Sequence, residues 1–281
     1  MRLMDFAKRL LREALDNNVL DGAAVLAFFF LLAVFPAAIF VLTVLPSLSI
    51  PHLREALVDL LYEVLPLGSA SLFEVTARYV AVEAKKGVLT FGLVLSLWSA
   101  SSGVVAIMDR LNAIRDLKEA RPFWKARGIA ILLTLFLIVL GIAALSLAIL
   151  GGVAQSWVAS MIGWSATLRL VFATLRWIVL AAALLLALAV AYRFGPCGNV
   201  RFRYISPGNV TAAVLIALAS VGFRFYVTKF GNYNATYGDL AAVIILMLWM
   251  YLAGIALLVG GETNKILQAH ESQRESSAPV E

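Results

Sequence analysis

Apolar residues in this chain run in long unbroken blocks instead of alternating with polar ones. Residues 22–53, 87–108, 128–168, 204–223 and 240–261 contain no Asp, Glu, Lys or Arg, and Leu, Ala, Val and Ile fill them. A helix needs about 20 apolar residues to cross the hydrocarbon of a bilayer, so each block is long enough for a crossing. Apolar length and flanking charge together predict six transmembrane helices, at roughly 23–48, 87–107, 128–150, 168–192, 207–226 and 240–261. The uncharged part of the fourth runs only from Trp177 to Tyr192, about 24 Å at 1.5 Å per residue. That span must draw Arg176 toward the membrane or thin the bilayer around it. The fifth carries Arg224 near its far end, and Pro36 in the middle of the first predicts a kink there. Such a kink is tolerated where neighbouring groups meet the carbonyl that proline frees.

The segments between the blocks read differently. Residues 1–22 alternate charge with Leu and Phe and have no continuous apolar core, so they do not read as a cleavable signal peptide. Leu3, Phe6, Leu10 and Leu15 fall near one helical face, which predicts an amphipathic helix on the inner membrane surface, and Asp21 stands at the N-cap position of the first span. Segment 49–86 repeats Leu and Val at helical spacing on either side of Pro66-Leu67-Gly68, which predicts two amphipathic helices on the outer face. Loop 151–167 is uncharged, with Trp157 and Trp164 suited to headgroup level. The expected organisation is an amphipathic helix over 1–22, a transmembrane domain over 23–264 and a polar, disordered tail over 265–281.

Composition agrees with the pattern and removes alternatives. At 62% hydrophobic and 14% charged, the chain is far from the soluble norm of about 45–50% apolar and about 25% charged residues. A soluble enzyme, a disordered chain and a secreted disulfide scaffold are excluded. With one cysteine, Cys197, and two histidines, His52 and His270, the chain forms no intrachain disulfide and no Cys/His zinc cluster, and no cofactor or metal is expected. Of its 23 Lys and Arg, fifteen lie in segments 1–22, 108–127, 193–206 and 262–281, against five in 49–86, 151–167 and 227–239. Basic residues accumulate on the cytoplasmic side, so the net charge of +6 follows membrane topology and both termini are expected in the cytoplasm. Nucleic acid is not an expected partner. Cys197 is expected to be cytoplasmic and reduced.

Three constellations carry candidate chemistry. Ser96, Ser99, Ser101, Ser102 and Gly103 surround Trp98 in the second span. Small residues at this spacing let helix backbones approach, so Ser99, Ser102 and Gly103, with Pro36, read as helix-packing positions, a polar substrate path being the alternative. Beyond that span come Arg110, Asn112 and Arg121, and Glu262 follows Gly260-Gly261 at the cytoplasmic end of the sixth. A lone carboxylate near the acyl boundary is expensive, so Glu262 is expected to form a structural latch with Arg121 or Arg110, a proton-coupling role being the alternative. Finally, Arg169, Arg176 and Arg224 lie in the outer part of predicted spans that contain no acid. Guanidinium groups suit phosphate, so Arg176 and Arg224 read as lining a binding site for an anionic headgroup that opens to the outer leaflet, with Arg169 nearer the helix end, where snorkelling to lipid phosphates is the favoured alternative.

Several runs of residues resemble one family. Ala27-Phe28-Phe29 with Phe35-Pro36, Leu97-Trp98-Ser99-Ala100-Ser101-Ser102-Gly103 followed by Leu111-Asn112 and Arg121-Pro122-Phe123, and Tyr237-Gly238 through Leu248-Trp249-Met250-Tyr251 to Gly261-Glu262-Thr263-Asn264 are similar to the YihY/virulence factor BrkB family. The chain departs from the family's frequent Tyr where Phe29 and Arg115 stand, and Ala33 stands where the family often has Ser or Ala. The resemblance implies a bacterial inner-membrane protein of six helices. Members have been labelled ribonuclease BN, but metal-dependent RNA hydrolysis needs grouped carboxylates or histidines, which this sequence does not offer, and its basic residues are dispersed. Relatives implicated in lipid export and serum resistance make a transporter or flippase-like carrier for an anionic lipidic substrate the leading implication. A structural or assembly component of the cell envelope is the alternative, with a homo-oligomer or an envelope protein as partner. An intramembrane enzyme is disfavoured because no nucleophile and base pair can be drawn, and no phosphate-binding G-x-x-x-x-G-K-[S/T] loop occurs.

Overall fold

The computed structural model describes residues 3–44, 86–162, 166–198, 200, 202–230 and 240–276 of the 281-residue chain. Its helices are α1 (Leu3–Asp16), α2 (Val19–Val44), α3 (Lys86–Ile114), α4 (Phe123–Ile162), α5 (Ala166–Phe194), α6 (Pro207–Phe230) and α7 (Leu240–Ser276), and no strand occurs among the described residues. The described residues are all-α, and the described part of each predicted span lies on one of the helices α2 to α7. Among the described residues, Phe123–Ala144, Thr174–Phe194, Pro207–Tyr226 and Val243–His270 are long and apolar enough to cross a membrane, and the α1–α2 pair, bent by 60° at its break, adds a fifth candidate. The predicted outer helices of 49–86 lie outside the described residues, apart from Lys86, where α3 begins.

Helix ends depart from expectation in three places. α4 continues through Gly151-Gly152 to Ile162, 40 residues, about 60 Å at 1.5 Å per residue. Most of the expected outer loop 151–167 is therefore helix. α2 runs through Pro36 to Val44, so the proline does not end it, and because α2 starts at Val19, Asp21 sits in its first turn instead of capping it. α7 likewise continues to Ser276, so the expected tail from 265 is helical over most of its length. The reason is tertiary packing: Ile266 is buried, and Lys265 and Gln268 bond to side chains of α1 and of the α3 end.

Successive helices pack as neighbours in a ring: α2 on α3, α3 on α4, α4 on α5, α5 on α6, α6 on α7 and α7 back on α2, with α3 also reaching α7 and α5. The densest core joins Val19 and Leu26 of α2, Ile107 and Leu111 of α3, Leu188 and Tyr192 of α5, Ala212 of α6 and Leu258 of α7. It sits at the end holding α1 and the segments 115–122 and 195–206, here called the basic end. Lipid tails are as apolar as leucine, so helices in a membrane associate through close packing and hydrogen bonds. Small residues supply the closeness. A Cβ on Gly254 would meet the Ala23 carbonyl of α2 at 3.2 Å, and one on Gly208 would strike the Gly260 carbonyl and the Asn264 side chain. Tyr192 donates its hydroxyl to the Leu257 carbonyl at 2.6 Å in the same crossing.

Outward-facing positions are apolar, as lipid requires: Leu132 and Val139 of α4, Leu175 and Trp177 of α5, and Leu218 and Val221 of α6 are all exposed. Phe123 and Trp124 are exposed at the start of α4, and such rings suit the headgroup level of a membrane. On α1, Phe6, Leu10 and Ala14 are half-buried, while Met4, Leu11 and Leu15 form an exposed apolar stripe, the face a surface helix turns to lipid. Leu15 thus lies on the opposite side from Phe6 and Leu10, with which the sequence pattern grouped it.

Candidate functional site

Three polar assemblies occupy the basic end. The first begins at the end of α3, where the Leu117 N–H donates to the Asn112 carbonyl at 2.9 Å and the Asp116 N–H to the Ala113 carbonyl at 3.0 Å. This is a Schellman cap, which needs a left-handed residue and usually takes glycine. Asp116 fills it at a φ of 56°, and its carboxylate reaches Lys265 Nζ at 2.9 Å. Asn112, 3% exposed, then ties two segments together. Its Oδ1 accepts the Cys197 N–H at 2.8 Å and its Nδ2 donates to Glu119 Oε2 at 2.8 Å. Glu119 in turn accepts from Arg121 Nε at 2.7 Å and from Arg121 Nη2 at 2.8 Å, and the same Nη2 donates to the Gly195 carbonyl at 2.8 Å. Hydrogen bonding from Arg121 holds the Glu119 carboxyl down to about 2 and, reciprocally, Glu119 raises Arg121. These bonds fasten the segment between α3 and α4 onto the end of α5.

The second assembly is a cleft of about 500 Å³ between α2, α3 and the start of α4, lined by Val25, Phe29, Ser102, Asp109, Arg110 and Arg127 among others. Arg127 is 7% exposed although it lies in the first turns of a membrane helix. Its guanidinium carbon sits 3.8 Å from the Trp98 ring centroid, Nη2 donates to the Trp98 carbonyl at 2.6 Å, and Nη1 and Nη2 each lie 3.2 Å from Ser102 Oγ. Ser101 and Ser102 donate their hydroxyls to that same Trp98 carbonyl at 2.9 Å and 3.0 Å. The serines around Trp98 therefore divide their work. Gly103 packs against Phe30 and the Phe29 carbonyl, whereas Ser102 anchors an arginine. Arg127 Nε is buried without a hydrogen-bond partner. Two guanidiniums against one carboxylate give the cleft a formal charge of +1, and burial, followed by the nearby Glu119, pushes the Asp109 carboxyl up.

The third assembly surrounds Glu262, which is 0% exposed. Its Oε1 accepts from Asn17 Nδ2 at 2.6 Å, and its Oε2 has no hydrogen-bond partner. Asn17 belongs to the turn between α1 and α2, where Asn18 adopts a φ of 50°. One turn along α7, Lys265 Nζ bridges Glu13 Oε2 at 3.2 Å and Asp116.

The expected latch between Glu262 and Arg121 or Arg110 is corrected by these contacts. Arg121 and Asn112 do form a latch, but its carboxylate is Glu119, while Glu262 bonds to Asn17 and Arg110 lines the cleft. The cause is local: the Schellman cap turns the chain back so that Glu119, two residues from Arg121, arrives first. Arg127 was not singled out by sequence because it ends a basic segment and borders an apolar block; only its tertiary pairing with Trp98 marks it. Of the three arginines expected on the outer side, Arg176 is half-buried on α5 with Nε lacking a hydrogen-bond partner, and Arg224 is exposed on α6. Arg169 lies on α5 with its side chain outside the described residues, as does the side chain of Pro36. Arg176 stands 18 residues before the end of α5 at Phe194, and Arg224 17 residues after the start of α6 at Pro207, so both lie at similar depth from the basic end. Ser99 is half-buried on α3.

Comparison with known proteins agrees with the residue pattern. The family model described as Virulence factor BrkB matches residues 10–281. A ribonuclease-like protein named YfkH from Bacillus subtilis (strain 168) is 34% identical over 264 residues, covering 94% of this chain and 95% of that protein. A UPF0761 membrane protein of Xanthomonas axonopodis pv. citri is 27% identical over 283 residues, and the chain spans 64% of its length. A UPF0761 membrane protein of Xanthomonas oryzae pv. oryzae is also 27% identical, over 98% of this chain and 63% of its own. No solved structure matches.

Proposed function

Since the chain belongs to the virulence factor BrkB family and is a multi-pass membrane protein, we propose that it is a carrier that moves an anionic lipidic substrate between the leaflets of a bacterial inner membrane, with both termini cytoplasmic. The observation that supports this reading is the cleft at Arg110 and Arg127. It combines apolar walls from Val25 and Phe29 with two guanidiniums, one of which is held beneath the surface on an aromatic ring. Guanidinium presents a planar fork to phosphate oxygens, and apolar walls suit acyl chain. In this reading the headgroup enters at Arg110 and Arg127 near the cytoplasmic leaflet. It leaves at the depth of Arg176 and Arg224, with Arg169 at the outer mouth.

The ribonuclease-like name belongs to the Bacillus relative. For this chain the reading is non-enzymatic, since its sequence groups no carboxylates or histidines in the pattern a metal-dependent phosphodiester cleavage would need. The carrier reading is tested with the purified protein in liposomes that hold a fluorescent anionic lipid in one leaflet. Protein-dependent appearance of the lipid in the other leaflet, reduced in Arg110→Gln, is expected. No protein-dependent movement would overturn the carrier role and favour a structural part in the envelope.

A further inference from the structure

Beyond its arginines, the basic end buries a carboxylate that the carrier reading leaves without a task. We propose that Glu262 is a proton-binding site of the membrane domain: it holds a proton in the arrangement described and releases it to the basic-end aqueous phase when α1 separates from α7.

Glu262 is completely buried, with a single amide donor on Oε1 and none on Oε2. An ionised carboxylate in such a place is strongly disfavoured without a paired charge. The cation that faces it is Lys265, and that ammonium already bridges Glu13 of α1 and Asp116 at the end of α3. Three carboxylates around one ammonium would sum to −2 if all were ionised, and a proton on Glu262 halves that charge. Other groups on the packed elements are engaged elsewhere. Arg115 at the end of α3 donates to Gln268, Thr263 donates to the Val259 carbonyl, and Asn264 accepts the Gly208 N–H of α6. On α2, Asp21 is exposed. A neutral carboxyl still accepts the Asn17 amide through Oε1, so protonation preserves the contact seen. On losing the proton Glu262 requires water or a cation, and both are reached by moving α1 and its Asn17 turn away from α7.

The placement links this event to the cleft. Asn17 and Gly22 lie five residues apart across the start of α2, and a Cβ on Gly22 would meet Leu258 of α7 at 2.9 Å and Arg110 of the cleft at 3.2 Å. A movement of the turn at Asn17 is therefore felt at Arg110. The inference rests on the carrier reading only for the use to which the proton is put; the proton site itself can be tested without any lipid substrate.

The test is infrared difference spectroscopy of the reconstituted full chain, titrated through neutral pH and compared with Glu262→Gln. The wild type is expected to show the carbonyl stretch of a protonated carboxyl group that disappears as pH rises, and the variant to lack it. In parallel, a spin label at Leu11→Cys, with Cys197 replaced by serine, reports α1. It should gain mobility over the same pH interval in the wild-type background and stay immobile in Glu262→Gln, which mimics the protonated side chain. A spectrum without that band, or a variant in which α1 loosens with pH as in the wild type, overturns the proposal. Loss of lipid movement with the band intact would instead count against the carrier reading alone.

Discussion

Asn112 offers a sharp test of the latch that closes the basic end, because one side chain serves two segments at once. Replacing it with alanine removes the donor to Glu119 and the acceptor for the Cys197 N–H, both at 2.8 Å. A neutral hydrogen bond contributes about 1 kcal/mol net, and one to a charged group about 1.5–3 kcal/mol. Glu119 is 27% exposed on its side chain, so water recovers part of the second bond. The expected loss is about 2–3 kcal/mol, measured by denaturation in mixed micelles. Asn112→Asp separates the two bonds. It keeps an acceptor for Cys197 but places a carboxylate against Glu119, so at neutral pH it should destabilise at least as much as alanine, because like charges repel at this distance. An alanine variant within about 0.5 kcal/mol of wild type, the range of an uninvolved surface change, would refute the latch.

Further expectations follow from the same geometry. Gly208→Ala or Gly260→Ala drives a methyl into the facing backbone and should cost about 1–3 kcal/mol or abolish the folded state, whereas Gly222→Ala, which meets nothing, should be silent in the same denaturation assay. The Glu119 carboxyl is held at about 2 against an ordinary 4.5, so its contribution to stability is present above 4.5 and is lost as pH falls toward 2. Glu119→Gln should accordingly flatten that acid limb in a pH series of unfolding midpoints. A cysteine at Lys118, with Cys197 replaced, should resist an impermeant maleimide in intact cells and react after permeabilisation; labelling in intact cells would invert the orientation. Arg176→Gln should lower retention of anionic lipid in native mass spectrometry relative to the control variant Arg201→Gln, and equal retention would remove the outer site.

The helices were legible because a membrane imposes length and apolarity on each crossing, and those properties reside in single blocks of sequence. Their ends were less so. α4 continues past its expected boundary through Gly151-Gly152, and α7 overruns its own because helix continues where packing favours it, as Ile266 shows beyond the apolar block. The site was half legible. Asn112, Arg121 and Glu262 stood out as polar groups at a membrane boundary, and all three take part in networks. Their partners did not stand out, since Asn17 lies 245 residues from Glu262 and nothing in spacing joins them. Arg127 was hidden for a similar reason: an arginine at the end of a basic segment looks like a topology signal until its stacking on Trp98 is seen.

The carrier reading depends on an anionic headgroup being held between Arg110 and Arg127. The most direct measurement is native mass spectrometry of the protein released from nanodiscs containing phosphatidylglycerol and phosphatidylethanolamine, for the wild type, Arg110→Gln, Arg127→Lys and Arg201→Gln. Arg127→Lys keeps the charge but not the fork, and Arg110 makes no hydrogen bond on which the helix packing described here depends. The account predicts that phosphatidylglycerol adducts fall several-fold in Arg110→Gln and less in Arg127→Lys, with Arg201→Gln and the phosphatidylethanolamine adducts unchanged. Equal phosphatidylglycerol retention in all four proteins would contradict it.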